Sequence, residues 1–106
     1  MEELQKSFGQ TNYYNKNMTD KFKICRVCGF HYKNYFPWGK NGESPTYDFC
    51  DCCGSEFGYD DDNIEIIKLS RESWIKKGMK WWQVDISEPQ DYDPKKQLKN
   101  IPKEWL

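Results

Sequence analysis

Short runs of alternating apolar and polar residues occur twice in the chain. Phe22 and Ile24 fall on one face of 21–25 with Lys21 and Lys23 on the other, and Tyr47 and Phe49 flank Asp48 in the same way. This period of two predicts two short strands, with the turn-forming residues Pro37, Gly39, Asn41, Gly42 and Pro45 between them. Farther on the period lengthens. Ile64, Ile67, Trp74 and Ile75 share one helical face, Asp62 and Glu65 are spaced as a capping box, and Gly78 is placed to end the helix. Arg71 interrupts that stripe, which predicts either a reach towards an acidic group near residue 50 or a helix that begins only at Ser70. A second helix is predicted from Asp93, followed by proline in the first helical position, as far as Pro102. Residues 1–20 are polar and rich in asparagine, and read as a mobile arm.

Both predicted strands run into the same motif. Cys25-Arg-Val-Cys28-Gly29 and Cys50-Asp-Cys52-Cys53-Gly54 are two CxxCG units, with 21 residues between Cys28 and Cys50. A CxxC turn aims two sulfurs at one ion, so the pair predicts a four-thiolate metal site of Cys25, Cys28, Cys50 and Cys53. The glycine after each unit can take positive φ, letting the chain curl round the ion and turn N–H groups towards the sulfurs. His31, the one histidine, could stand in as a ligand, but four well-spaced cysteines leave it no place.

The expected fold is a small α+β metal-bound domain. Its core is a zinc-ribbon or rubredoxin-like β-ribbon with two CxxCG knuckles, followed by one or two helices. The expected organisation is an arm over 1–20, a two-knuckle ribbon over 21–60 and a helical part over 61–106 packed on it, one domain overall. Only 37% of the 106 residues are hydrophobic, so an ion is a reasonable supplement to the core. The 17% that are aromatic should form a packed layer beside it, with Trp81 and Trp82 joined by Met79 as an apolar cover. No apolar run suits a membrane span or a signal peptide, so a cytoplasmic location is expected, where paired cysteines act as metal ligands more often than as disulfides.

Charge is divided along the chain. Residues 41–65 carry eight acidic groups and no basic ones, which would repel phosphates, so nucleic acid is not an expected partner. Lys21, Lys23, Arg26 and Lys33, near the first knuckle, are expected to offset the double negative charge of four thiolates on a divalent ion.

The segments PWGKNGESPTYDFCDCCGSEFGYDD, RESWIKKGMKWW and DPKKQLKNI together resemble the small bacterial cysteine-rich proteins described as CPCC proteins. The resemblance spans roughly residues 22–101, with Asp51 standing where that family's knuckle has proline. It implies a zinc-ribbon or rubredoxin-like domain and a metal, and no activity.

Three functions fit these residues. One is a non-catalytic structural zinc module that binds another protein, in the manner of a bacterial immunity protein, antitoxin or regulator. Its contact patch would be Phe57, Tyr59, Asp60, Asp61 and Asp62. Four thiolates close the ion's coordination sphere, and neither a catalytic triad nor a phosphate loop can be assembled, so an enzyme and a small-molecule substrate are not expected. The second is an electron carrier with iron in place of zinc, since CRVCGFHY resembles the CxxCGxxY start of a rubredoxin. The third is a redox sensor acting through Cys52, the fifth cysteine; against it, the neighbouring acidic groups should raise the pKa of that thiol.

Overall fold

A computed structural model describes residues 19–106. The arm expected over 1–20 therefore lies outside the described residues except for its last two. Each CxxCG unit closes a miniature hairpin of its own. Ile24 pairs antiparallel with His31, and Phe49 with Glu56. The hydrogen bonds repeat with the same shift of 25 positions. Cys25 N–H donates to Phe30 O at 2.9 Å as Cys50 N–H does to Ser55 O at 2.8 Å. Tyr32 N–H reaches Lys23 O as Phe57 N–H reaches Asp48 O, both at 2.9 Å. The chain thus makes one knuckle twice.

The pairing is shorter than the alternation predicts. Lys21–Lys23 form a turn of 3-10 helix, in which Ile24 N–H bonds Lys21 O, so the strand expected over 21–25 contracts to the single bridge at Ile24.

An aromatic layer joins the two hairpins. Tyr32 lies between Phe30 and Tyr35, with ring centroids 4.8 Å away on each side, and Phe57 of the second hairpin sits 6.5 Å from Tyr32. Phe30 also meets Trp81 edge-on at 5.3 Å, and Trp81 meets Tyr92 at 5.8 Å. Such edge-to-face pairs add to the burial of large rings, which is how a chain with few aliphatic residues builds a core.

Helix α1 spans Ile64–Lys76. Its N-cap is Asn63, whose Oδ1 accepts from Ile66 N–H, one residue later than the expected Asp62. At the other end Gly78, at φ 97°, donates to Ile75 O while Met79 N–H reaches back to Trp74 O, a Schellman closure as expected of that glycine. Ile67 and Trp74 are its buried residues. Arg71 shares their side of the helix (i, i+4, i+7), so the cation in the apolar stripe faces inward. Helix α2 is the short segment Pro94–Gln97, capped by Asp93 Oδ1 and continued by a 3-10 turn over Leu98–Asn100. It docks on the first knuckle, where Gln97 donates to Cys28 O and Asn100 to Gly29 O. No Cβ would fit at Gly29, because it would lie 2.3 Å from Gln97 O. Among the described residues no helix is long and apolar enough to cross a membrane.

Candidate metal centre

The two knuckles face each other and bring Cys25, Cys28, Cys50 and Cys53 together, with all four sulfurs within 4.8 Å of one another. Cys25 Sγ lies 3.8 Å from Cys53 Sγ, and Cys28 Sγ lies 3.8 Å from Cys50 Sγ. A tetrahedron with metal–sulfur bonds of about 2.3 Å has edges of about 3.8 Å, so these separations suit a closed four-thiolate site and are far too long for disulfides. Cys25, Cys28 and Cys50 are fully buried, and Cys53 is partly so.

Gly29 and Gly54 take φ of 84° and 80°, as their place after each CxxC requires. Gly29 N–H closes on Cys25 O at 3.0 Å and Gly54 N–H on Cys50 O at 2.8 Å, which shapes the turn that presents each cysteine pair.

Burial pushes the Cys25 and Cys28 thiols well above their ordinary range. Hydrogen bonds from Cys25, Cys28 and Cys50 hold Cys53 well below it. Packed this closely the four thiols share protons, and a cation taking the place of those protons relieves the cost of burying the charge.

One built-in counter-charge is not revealed by the sequence pattern. Among the described residues, the partners of Arg71 are carbonyls and not an acidic group. Its Nε donates to Val27 O at 2.7 Å, and one terminal nitrogen donates to Arg26 O at 2.7 Å and Trp105 O at 2.6 Å. Burial lowers its pKa, while the thiolates of Cys25 and Cys28 act in the opposite direction. Two of the lysines expected in that role are engaged elsewhere: Lys21 pairs with Glu104, and Lys23 lies over the Phe36 ring. Arg26 is sandwiched between Trp38 and Trp105, 3.8 and 4.6 Å from their ring centroids. His31 is exposed, bound to Asp20 Oδ1 and outside the thiol cluster.

Cys52 is also outside the four. It is fully buried, with Tyr92 Oη at 3.3 Å and Gln97 Nε2 at 3.4 Å from its sulfur. The acidic groups expected to raise its pKa do not decide it. A hydrogen bond with Cys28, aided by Gln97 and Tyr92, lowers the thiol, against burial and the charge of Cys50. The position 25 residues earlier is Val27, equally buried, so Cys52 fills a core position of the repeat and offers no surface to a reagent.

The expected contact patch is divided by the fold. Phe57 is fully buried within the aromatic layer and cannot touch a partner. Asp61 is fully buried as well, accepting from Trp38 Nε1 at 2.9 Å and Gly58 N–H at 2.7 Å, so it is a fastening of the core. Burial raises its pKa, and those two donors and Arg26 oppose the rise. Asp60 caps the turn at Glu56 N–H. Only Tyr59 and Asp62 remain exposed. Tyr47, Phe49 and Trp82 are exposed by 59, 51 and 47%, and the Phe49 and Trp82 rings stack at 5.8 Å.

The chain is 32% identical over 97 residues to the uncharacterized protein YoaQ of Bacillus subtilis (strain 168), in an alignment covering 78% of this chain and 76% of that protein. It is 32% identical over 75 residues to the uncharacterized protein YozI of the same organism, covering 57% of this chain and 62% of YozI. The chain belongs to the family of YoaQ. No protein-family model and no solved structure matches it.

Proposed function

We propose that this protein is a non-catalytic module that folds around one zinc ion in a zinc-ribbon or rubredoxin-like pair of knuckles and binds another protein. The observation that carries the reading is the cluster of four cysteine sulfurs, all within 4.8 Å of one another and with two separations of 3.8 Å. Four thiolates fill a tetrahedral ion's coordination sphere, so no position is left for water or substrate, and the ion serves the fold. The resemblance to CPCC proteins agrees with such a domain. The exposed aromatics Tyr47, Phe49, Tyr59 and Trp82, in a region rich in carboxylates, provide anchors and charge for a basic partner, as a regulator or immunity-type protein needs.

Elemental analysis with a visible spectrum tests the reading. One colourless zinc per chain is the expected result, and Cys25→Ser should lose both the ion and the cooperative melt. Iron with visible absorption would instead make the protein an electron carrier, because the same sulfurs hold iron in a redox-active form. A Cys25→Ser variant that stays cooperatively folded without metal would refute the structural role. For the partner, replacing Phe49 and Trp82 with alanine should abolish capture while the metal stays bound.

A further inference from the structure

The two knuckles repeat each other, but their surroundings differ at one ligand. Phe30, two residues after Cys28, has as its counterpart Ser55, two residues after Cys53. A cavity of about 600 Å³ borders Phe30 but reaches none of the cysteines. Beside the second knuckle lies a cavity of about 570 Å³ whose wall includes Cys53, Ser55, Lys77, Lys80 and Trp82. Ser55 Oγ lies 3.3 Å from Cys53 Sγ, so the wall residue is in contact with the ligand sulfur. The other three cluster cysteines have no exposed surface, and none of them lines this cavity. Lys77 and Lys80 are exposed at its rim, and against them stands Asp60, whose carboxylate is already bonded to Glu56 N–H.

We infer that this cavity is the entrance to the metal centre and that Cys53 is its modification site, reacting first with small anionic electrophiles such as low-molecular-weight disulfides bearing carboxylates. The inference rests on the four-thiolate reading. In the step, the Cys53 thiolate attacks one sulfur of the disulfide and the S–S bond breaks. The other half leaves as a thiolate, and Cys53 ends as a mixed disulfide. With that sulfur's electron pair in the new bond, Cys53 would no longer hold an ion, and Cys25, Cys28 and Cys50 alone would hold it less tightly. The two lysines concentrate the anion at the mouth, and Trp82 offers a flat face to an aromatic reagent.

The test uses the metal-loaded full chain, with its metal content measured beforehand. The probes are dithiobis-nitrobenzoate, an aromatic disulfide with two carboxylates, and neutral dithiodipyridine. At substoichiometric reagent, peptide mapping should place the first mixed disulfide on Cys53, with metal release matching modification. Lys77→Gln/Lys80→Gln should slow the anionic reagent about threefold or more and leave the neutral one unchanged, with the difference shrinking in high salt. First attack at Cys52 or at any buried ligand, or an unchanged ratio of the two rates in the lysine variant, would overturn the inference. A preparation that binds no metal would overturn the module reading itself, whereas bound metal with first attack elsewhere removes this inference alone.

Discussion

Replacing Arg71 tests how the helical half secures the knuckles. Its guanidinium makes three hydrogen bonds to main-chain carbonyls, two on the first knuckle and one at Trp105, all at 2.6–2.7 Å. In a partly exposed setting each bond is worth about 1 kcal/mol net, so Arg71→Met should cost about 3 kcal/mol. A domain of this size loses about 4–8 °C of melting temperature per kcal/mol, which places the variant more than about 10 °C below the parent. Arg71→Lys separates charge from shape. An ammonium keeps the positive charge beside the thiolates but cannot fork to three carbonyls, so about two of the three bonds should go, at about 2 kcal/mol. Thermal melts of the metal-loaded proteins measure the first effect. Competition with a chromophoric chelator measures the second, where the methionine variant should yield its metal more readily than the lysine variant. A methionine variant melting within about 2 °C of the parent would show that the guanidinium merely covers the knuckle.

The glycines after the two CxxC units should respond unequally. Gly29→Ala drives a Cβ to 2.3 Å from the Gln97 carbonyl of α2, whereas Gly54→Ala meets the half-exposed Trp82 ring at 2.7 Å, which can swing away. Beyond the cost of about 1 kcal/mol that both incur for positive φ, Gly29→Ala should lose about 2 kcal/mol more in urea melts, and equal losses would contradict the docking of α2. Metal binding should release protons, because burial holds the Cys25 and Cys28 thiols protonated until an ion displaces them. Affinity then rises with pH and the ion is lost on acidification; titration of metal into weakly buffered protein that shows proton uptake would refute this. Cys52→Val should keep one metal per chain and cost less than about 1.5 kcal/mol, since Gln97 still donates to Cys28 O and Tyr92 to Met79 O; metal analysis that finds an empty site would make Cys52 a ligand.

Where chemistry depends on near neighbours in the chain, the residues declare it. The CxxCG units place four sulfurs in one cluster, and Gly78 and Asp93 close helix ends because each acts on backbone within a few residues. Asn63 takes the cap in place of Asp62 because capping depends on which of two adjacent side chains turns back towards the first turn, and either could. The contacts of Arg71 lie 34 to 45 positions away in the chain, and nothing local to residue 71 indicates carbonyls as its partners. The same limit applied to the acidic run. Phe57 and Asp61 are buried, while Tyr59 between them is 70% exposed, so a patch that is continuous in sequence is split by the turn that carries it. The interval of 25 between the CxxCG units sets the register of the whole repeat, including Val27 with Cys52 and Phe30 with Ser55.

That register separates what the repeat supplies from what the rest of the chain adds. Two copies of one hairpin are enough to bring four thiolates together, but alone they would leave both knuckles equally open to water. The remaining residues treat them differently. The first knuckle receives Gln97, Asn100 and Arg71 on its carbonyls, with Trp105 stacked over Arg26. The second receives Trp82, whose N–H donates to Cys52 O at 2.9 Å and whose ring lies over Gly54, half exposed and stacked on Phe49. Both knuckles are thus held by hydrogen bonds from the rest of the chain, the second by Trp82 and Gln83 N–H on Cys52 and Asp51 O, but only the second has half-exposed rings as its cover, and those can move at little cost. In the proposed module the second knuckle would therefore give up its ion first, and a partner docked on the exposed Phe49 and Trp82 rings would change how easily the metal leaves.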